Sequence, residues 1–215
     1  MIYPMYDNTD EELVELAKDG DSEAFNILVK RHVDHIYNFV RQYTTHKEDA
    51  DDITQEAFFK AWKHIKSFKK GKKFTTWLFT IARNSALDNI KKRKAFSFSD
   101  MDAFGQSGGA GGSGGNSSEN TGFAETLKDP EPLAPEIFER KELAHELTEA
   151  MDTLPPDWKA VLVMHYTDDM TFEEIAAVVS RPMNTIKSWH HRAVLKIRDI
   201  LATHHKDETS RINTK

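Results

Sequence analysis

From Ser107 to Gly122 the chain reads SGGAGGSGGNSSENTG, a stretch with almost no side chain to bury and a backbone free to take many conformations. Ordering such a segment costs conformational entropy that no packing offsets. The remaining sequence must therefore form its cores on either side. Acidic, proline-containing sequence flanks the tract, and the chain divides into an N-terminal unit over residues 1–95, a flexible Gly/Ser-rich acidic linker over 96–135, a C-terminal unit over 136–203 and a tail over 204–215.

Both units read as helix. Thr9 and Glu12 have capping-box spacing ahead of an apolar face of Leu13, Leu16 and Ala17, and Gly20 stops that helix. A second begins near Ser22, with Phe25, Leu28, Val29, His32, Val33, Ile36, Tyr37 and Val40 recurring every three or four residues. Thr45 and Glu48 are expected to cap a third, whose buried face is Ala50, Ile53, Ala57, Ala61 and Ile65. Beyond a basic loop around Gly71, a fourth starts near Thr75 and carries Trp77, Leu78, Ile81, Ala82 and Ile90. In the C-terminal unit, Phe138, Leu143, Leu147 and Met151 mark one helix, Pro155 and Pro156 break the chain, and Trp158 to Tyr166 forms the next. No segment alternates as a strand does, so the expected fold class is all-α: two small helical domains on one linker.

The last two helices have a more specific pattern. Thr171 and Glu174 form a third capping box before Ile175, Ala176 and Val179, and Pro182 suits the first turn of a new helix but cannot continue the old one. A sharp turn therefore falls at Ser180 to Pro182. After it, Ile186, Ala193, Val194 and Ile197 make a buried side, with Lys187, Ser188, His191 and Arg192 facing away. This is a helix-turn-helix pattern, and such a basic face fits the major groove, where Arg and Lys pair with guanine edges. It equally suits an amphipathic pair with a solvated basic face.

The formal net charge of −6 hides strong segregation. Lys60 to Lys94 holds twelve Lys or Arg and one acid, Asp88, whereas Glu48 to Glu56 holds five acids and no base, and Ala95 to Glu139 holds eight acids against one Lys. The two basic blocks, Lys60 to Lys94 and Ser180 to Arg198, are where phosphate would be met. The chain has no cysteine, which excludes disulfides and thiolate metal sites, and its acidic first twenty residues do not resemble a secretory signal. No apolar run is long enough to span a bilayer. A cytoplasmic protein without membrane contact is expected. Neither an enzyme nor a metal protein is indicated: the Gly tract lacks the Lys-Ser/Thr ending of a phosphate loop, and the pairs His32/His35, His190/His191 and His204/His205 lack a completing carboxylate. No cofactor is expected.

Three segments in series, DADDITQEAFFKAW (Asp49 to Trp62), FTTWLFTIARNSALD (Phe74 to Asp88) and LPPDWKAVL…TFEEIAAVV…NTIKSWHHRA, resemble regions two and four of the extracytoplasmic-function (ECF) sigma factors, over about Ala24 to Lys94 and Leu143 to Leu201. The resemblance implies an alternative-sigma transcription initiation factor that binds core RNA polymerase, recognises minus-35 and minus-10 promoter elements and helps open the DNA. It implies a polymerase-docking patch at Asp49, Asp52, Gln55 and Glu56, whose spacing shares one helical face. It also implies a minus-10 surface at Lys66, Phe68, Lys69, Lys70, Lys72 and Lys73 in the loop and Arg83, Asn84, Asp88, Lys91, Lys92 and Arg93 along the following helix. Phe68 is the aromatic expected near DNA, with Phe74 and Trp77 packing. Minus-35 readers are Lys187, Ser188, His191 and Arg192, with Thr185 near a phosphate. The acidic linker resembles by position a segment that threads the polymerase channels, a plain tether being the alternative. Further implied partners are promoter DNA and an anti-sigma factor. Two residues depart from the family pattern: Trp189 stands where Arg is usual, and Ser180-Arg181 replaces a turn that commonly holds Gly. A conventional helix-turn-helix regulator working without polymerase is the competing reading, and it leaves the docking patch and basic loop without purpose.

Overall fold

The computed structural model describes the backbone of residues 7–103 and 134–212 and the side chains of residues 7–93 and 141–203. The glycine tract and most of the acidic linker lie outside the described residues. Among those described, the elements are α1 (Asp10–Lys18), α2 (Ser22–Arg41), α3 (Lys47–His64), a short 3-10 turn (Ile65–Ser67), α4 (Phe74–Ala103), α5 (Ala134–Asp152), α6 (Pro156–Tyr166), α7 (Phe172–Val179) and α8 (Met183–Ile212). All are helical.

Local chemistry sets most of these boundaries. The Thr9 box forms as its spacing predicts, with the Thr9 N–H donating to the Glu12 carboxylate at 2.8 Å and the Glu12 N–H to the Thr9 hydroxyl at 3.3 Å. Gly20 takes φ +102°, where a side chain is strained, and lets the Asp21 N–H reach the Leu16 carbonyl at 3.1 Å. Asp21 then caps α2 by accepting from the Glu23 and Ala24 amides at 2.9 and 3.2 Å. The start of α4 is held from elsewhere in the chain: the Phe74 N–H donates to Glu11 of α1 at 3.1 Å.

Four expectations need correction. The N-cap of α3 is His46, without a side-chain cap bond, so the Thr45/Glu48 box does not form. The helix starts too late for Thr45 to reach it, and Glu48 and Asp49 in the first turn supply the negative charge favoured there. α4 continues to Ala103, into residues expected to be linker. Leu143 is 51% exposed, two turns before buried Ala150 on the same side of α5, where no described residue covers it. Val194 is 39% exposed because it lies a quarter-turn from Ala193, the residue α8 buries.

In the N-terminal half, α2 packs against α1 and α3, and α3 against α4. Phe39, Phe74, Leu78 and Phe79 are fully buried at the centre. This core does not end at the linker. α7 lies on α4 and α6 touches α2, so Val161, Met164, Met170, Ile175, Val178, Val179 and Ile186 join the same apolar cluster as the N-terminal residues. A smaller cluster of Leu154, Leu162 and Ala193, flanked by Trp158 and Ile197, ties α6 to α8.

The turn between α7 and α8 carries backbone strain. Ser180 sits at φ +55°, ψ +46°, the left-handed conformation that closes the end of α7, with the Arg181 N–H reaching the Ala176 carbonyl at 3.1 Å. A serine there carries a Cβ penalty that glycine lacks. Ser180→Gly is expected to raise stability by about 0.5–1 kcal/mol, the relief being partly offset by the freer unfolded chain. Urea unfolding of the two proteins checks this, and a loss of stability would contradict it.

Candidate nucleic-acid and polymerase interfaces

The basic loop between α3 and α4 places Lys66, Lys69, Lys70, Lys72 and Lys73 in solvent. Gly71, at φ +81°, allows the tight turn that presents them. Phe68 is placed differently from the expectation. Its ring is 4% exposed, edge-on to Phe74 and Trp77 with centroids at 6.2 and 5.5 Å, and the Lys18 ammonium lies 5.3 Å from its centre. It anchors the loop to the core and offers no face for a base, because burying an aromatic ring here completes the packing around Phe74. Along α4, Asn84, Asp88, Lys91, Lys92 and Arg93 are exposed, with Lys91 3.8 Å from Asp88. Arg83 turns inward, its side chain 12% exposed.

On α3, Asp52 and Gln55 are exposed, while Asp49 and Glu56 are half-buried and paired, Asp49 with Arg93 and Glu56 with Lys60 at 2.7 Å. Two aromatics extend the exposed pair. Phe59 is 66% exposed and Trp62 38%, the latter tilted against Phe25 at 4.9 Å. Asp52, Gln55, Phe59 and Trp62 follow one another at three- and four-residue steps and form one stripe. The signal that reveals Phe59 is its place beside Phe58: two adjacent apolar residues on a helix face different ways, and the core takes only Phe58, which is 7% exposed.

In the helix-turn-helix, Glu174 and Thr171 form the expected box, and Lys187, His191 and Arg192 project from α8 into solvent, with Thr185 and Ser188 half-buried. Trp189 points to the core cluster. The departure from Arg at this position therefore supplies packing rather than a polar contact. His190 accepts or donates at 3.0 Å to the Tyr166 hydroxyl and lies edge-on to Phe172 and His165. Burial pushes its pKa below the ordinary histidine value, and the neighbouring His165 and His191 add to this.

The two halves also meet through polar groups. Three carboxylates of the C-terminal half each engage a basic group of the N-terminal half: Asp157 with Arg83 at 3.2 Å, Asp168 with His35 at 2.6 Å and Glu174 with Lys73 at 2.6 Å. Tyr43 donates to the same Asp157 oxygen at 3.0 Å. Burial, reinforced by the Asp157 charge, raises the Tyr43 pKa far above the phenol range and keeps it a donor. Burial raises the pKa of Asp168, whereas burial at Glu174 is outweighed by bonds from Lys73 and Thr171, which hold it low. Arg83 and Lys73, both expected to face the minus-10 DNA, are thus occupied by carboxylates of the other half. Among the described residues no group of histidines and carboxylates is spaced to hold a metal ion, and no helix is long and apolar enough to cross a membrane.

Sequence profiles of Sigma-70 region 2 and Sigma-70 region 4 match residues 28–96 and 144–197. The ECF RNA polymerase sigma factor SigW of Bacillus subtilis (strain 168) is 30% identical over 179 residues, 83% of this chain and 89% of that protein. The ECF RNA polymerase sigma-E factor of Escherichia coli (strain K12) is 31% identical over 186 residues, 86% of this chain and 90% of its own length. Similar solved structures include the sigma factor RpoE in complex with the anti-sigma factor NepR from Bartonella quintana, at TM-score 0.59 and 20% identity, covering 83% of this chain and 96% of that one. CnrH in complex with the cytosolic domain of CnrY superposes at TM-score 0.57 and 21% identity, covering 91% and 99%. At these identities the two structures report on the fold alone. Both sigma-70 regions are matched in order and relatives at 30% and 31% identity align over more than four-fifths of the chain, so this protein belongs to the ECF family of RNA polymerase sigma factors.

Proposed function

We propose that the chain binds core RNA polymerase through α3, places the loop cations and the outer face of α4 on the minus-10 element and lays α8 in the major groove at the minus-35 element. As an alternative sigma factor it directs polymerase to specific promoters. The observation that carries the residue assignments is the separation of three solvent-facing surfaces in one chain: the Asp52, Gln55, Phe59 and Trp62 stripe, the lysines flanking Gly71, and Lys187, His191 and Arg192. A repressor needs only the last. The stripe combines acceptors with two rings, a composition suited to a helical partner that offers cations around an apolar seam. The loop lysines hold phosphates of a melted strand, and strand opening exposes bases for stacking; with Phe68 buried, that stacking falls to other residues.

The protein works by binding, not by catalysis, in the cytoplasm with its polymerase. An anti-sigma protein covering these surfaces is the partner that would silence it, a reading supported by the similarly folded RpoE, which was solved in complex with the anti-sigma factor NepR. The acidic linker either threads a basic polymerase channel or tethers the halves.

Run-off transcription with purified core enzyme and a promoter library tests the assignment. Initiation at defined starts is expected only when this chain and core enzyme are both present; operator binding by the chain alone, with no gain in initiation, would favour the repressor reading. Within the minus-35 surface, Arg192→Ala is expected to cost about 1–3 kcal/mol of promoter discrimination, since a lost bidentate base contact costs that much. Binding measured on specific and random duplex checks this, and an unchanged ratio would remove Arg192 from the readers.

A further inference from the structure

The seam between the halves contains a titratable pair that neither promoter binding nor polymerase docking uses. Asp168, in the turn after α6, has a side chain only 3% exposed, and its Oδ2 has no hydrogen-bond partner. Its Oδ1 meets the His35 Nδ1 of α2 at 2.6 Å. A buried carboxylate with one oxygen unsatisfied is costly unless a proton or a positive charge accompanies it. His35, 45% exposed on its other side, can exchange that proton with solvent.

We propose that His35 and Asp168 form a proton-operated clasp that holds the two halves together when protonated and loosens as the pH rises, freeing Lys73 and Arg83 for DNA. This inference rests on the minus-10 role proposed for the loop cations, Lys73 among them, and implied for Arg83 by the family resemblance. With the proton bound, the pair is a neutral imidazolium–carboxylate unit across the seam. With the proton lost, Asp168 keeps a buried negative charge beside a neutral ring, and separation of the halves hydrates it. The groups around the pair reinforce this direction. Asp34 on α2 and Asp168 itself both favour charge on His35, and Asp169 in the turn disfavours a second negative charge at Asp168. His32, the remaining neighbour of Asp168 on α2, is tied to Asp10 of α1 at 2.6 Å. Lys73–Glu174 and the Arg83–Asp157–Tyr43 group complete the polar seam.

Both shifts have the same sign. The hydrogen bond to Asp168 raises His35 above its ordinary 6.5, and burial raises Asp168 above 3.8. A group with a raised pKa in the closed form favours closure fully below its open-form value, and that contribution is lost as pH rises through the raised value. The working window for His35 is therefore from 6.5 upward.

The chain has no cysteine, so Lys63→Cys on α3 and Ala202→Cys on α8, both at exposed positions, can carry a donor and an acceptor dye. Single-molecule energy transfer on the free full-length protein then counts closed and open molecules without polymerase or DNA, so its result stands apart from any transcription assay. From pH 6 to pH 8 the closed-to-open ratio is expected to fall at least about threefold, with one proton capping the slope at about tenfold per pH unit. His35→Gln, which keeps a donor but does not titrate, is expected to be more open at pH 6 and flat across the range. Asp168→Asn, which removes the buried charge, is expected to stay closed and flat. Circular dichroism checks that each variant keeps its helices, and should His35→Gln lose them, Asp168→Asn decides alone. A ratio independent of pH in the parent, or the parental slope surviving in the folded variants, would overturn the clasp.

Discussion

A helix of eight residues, α7, has an apolar side too wide for the helix-turn-helix alone to cover, and the arrangement of the molecule follows from where that side finds cover. Ile175, Val178 and Val179 are buried almost completely, and the surface that meets them includes α4 of the other half. Each such side chain stabilises by about 1.5–3 kcal/mol relative to exposure. This makes the seam a continuation of the N-terminal core rather than a casual contact. The carboxylates beside it, Asp157, Asp168 and Glu174, give the apolar seam its register, because each meets one basic group across it.

That register has a functional cost. Glu174 both closes the capping box of α7 and binds Lys73. Asp157 takes Arg83 together with Tyr43. Carboxylates of the C-terminal half occupy cations of the N-terminal half where phosphates are proposed to lie. On the proposed minus-10 assignment, closure and DNA engagement would compete for the same cations, while the α3 stripe and the outer face of α8 stay exposed in the closed form.

Much of this was legible in the chain. The helices, the capping boxes at Thr9 and Thr171 and the turn before Pro182 follow from period and local hydrogen bonding, and the structure forms them as the residues predict, whereas the third expected box, Thr45 with Glu48, does not form. The exposed face of α8 proposed to read the groove follows from the same period, since Ile186 and Ala193 fix which side is inward. What resisted reading was non-local. Phe68 looks available for a base because its neighbours are lysines, yet the core behind the loop needs its ring. Phe59 stays in solvent because α3 has already filled its buried side with Ala50, Ala57 and Ala61, alongside Ile53 and Phe58, while Trp62 packs against Phe25 and remains 38% exposed. The partnership of Arg83 and Lys73 with distant carboxylates has no local signature at all, because more than seventy residues separate Arg83 from Asp157.

The central claim is that one apolar core spans both halves, and calorimetric unfolding at pH 6 tests it most directly. A shared core predicts a single transition in which the van't Hoff and calorimetric enthalpies agree, and a Val178→Ala change that lowers the midpoint of the whole transition. Two separate transitions, with Val178→Ala moving only one of them, would show that the halves fold independently and would contradict the account.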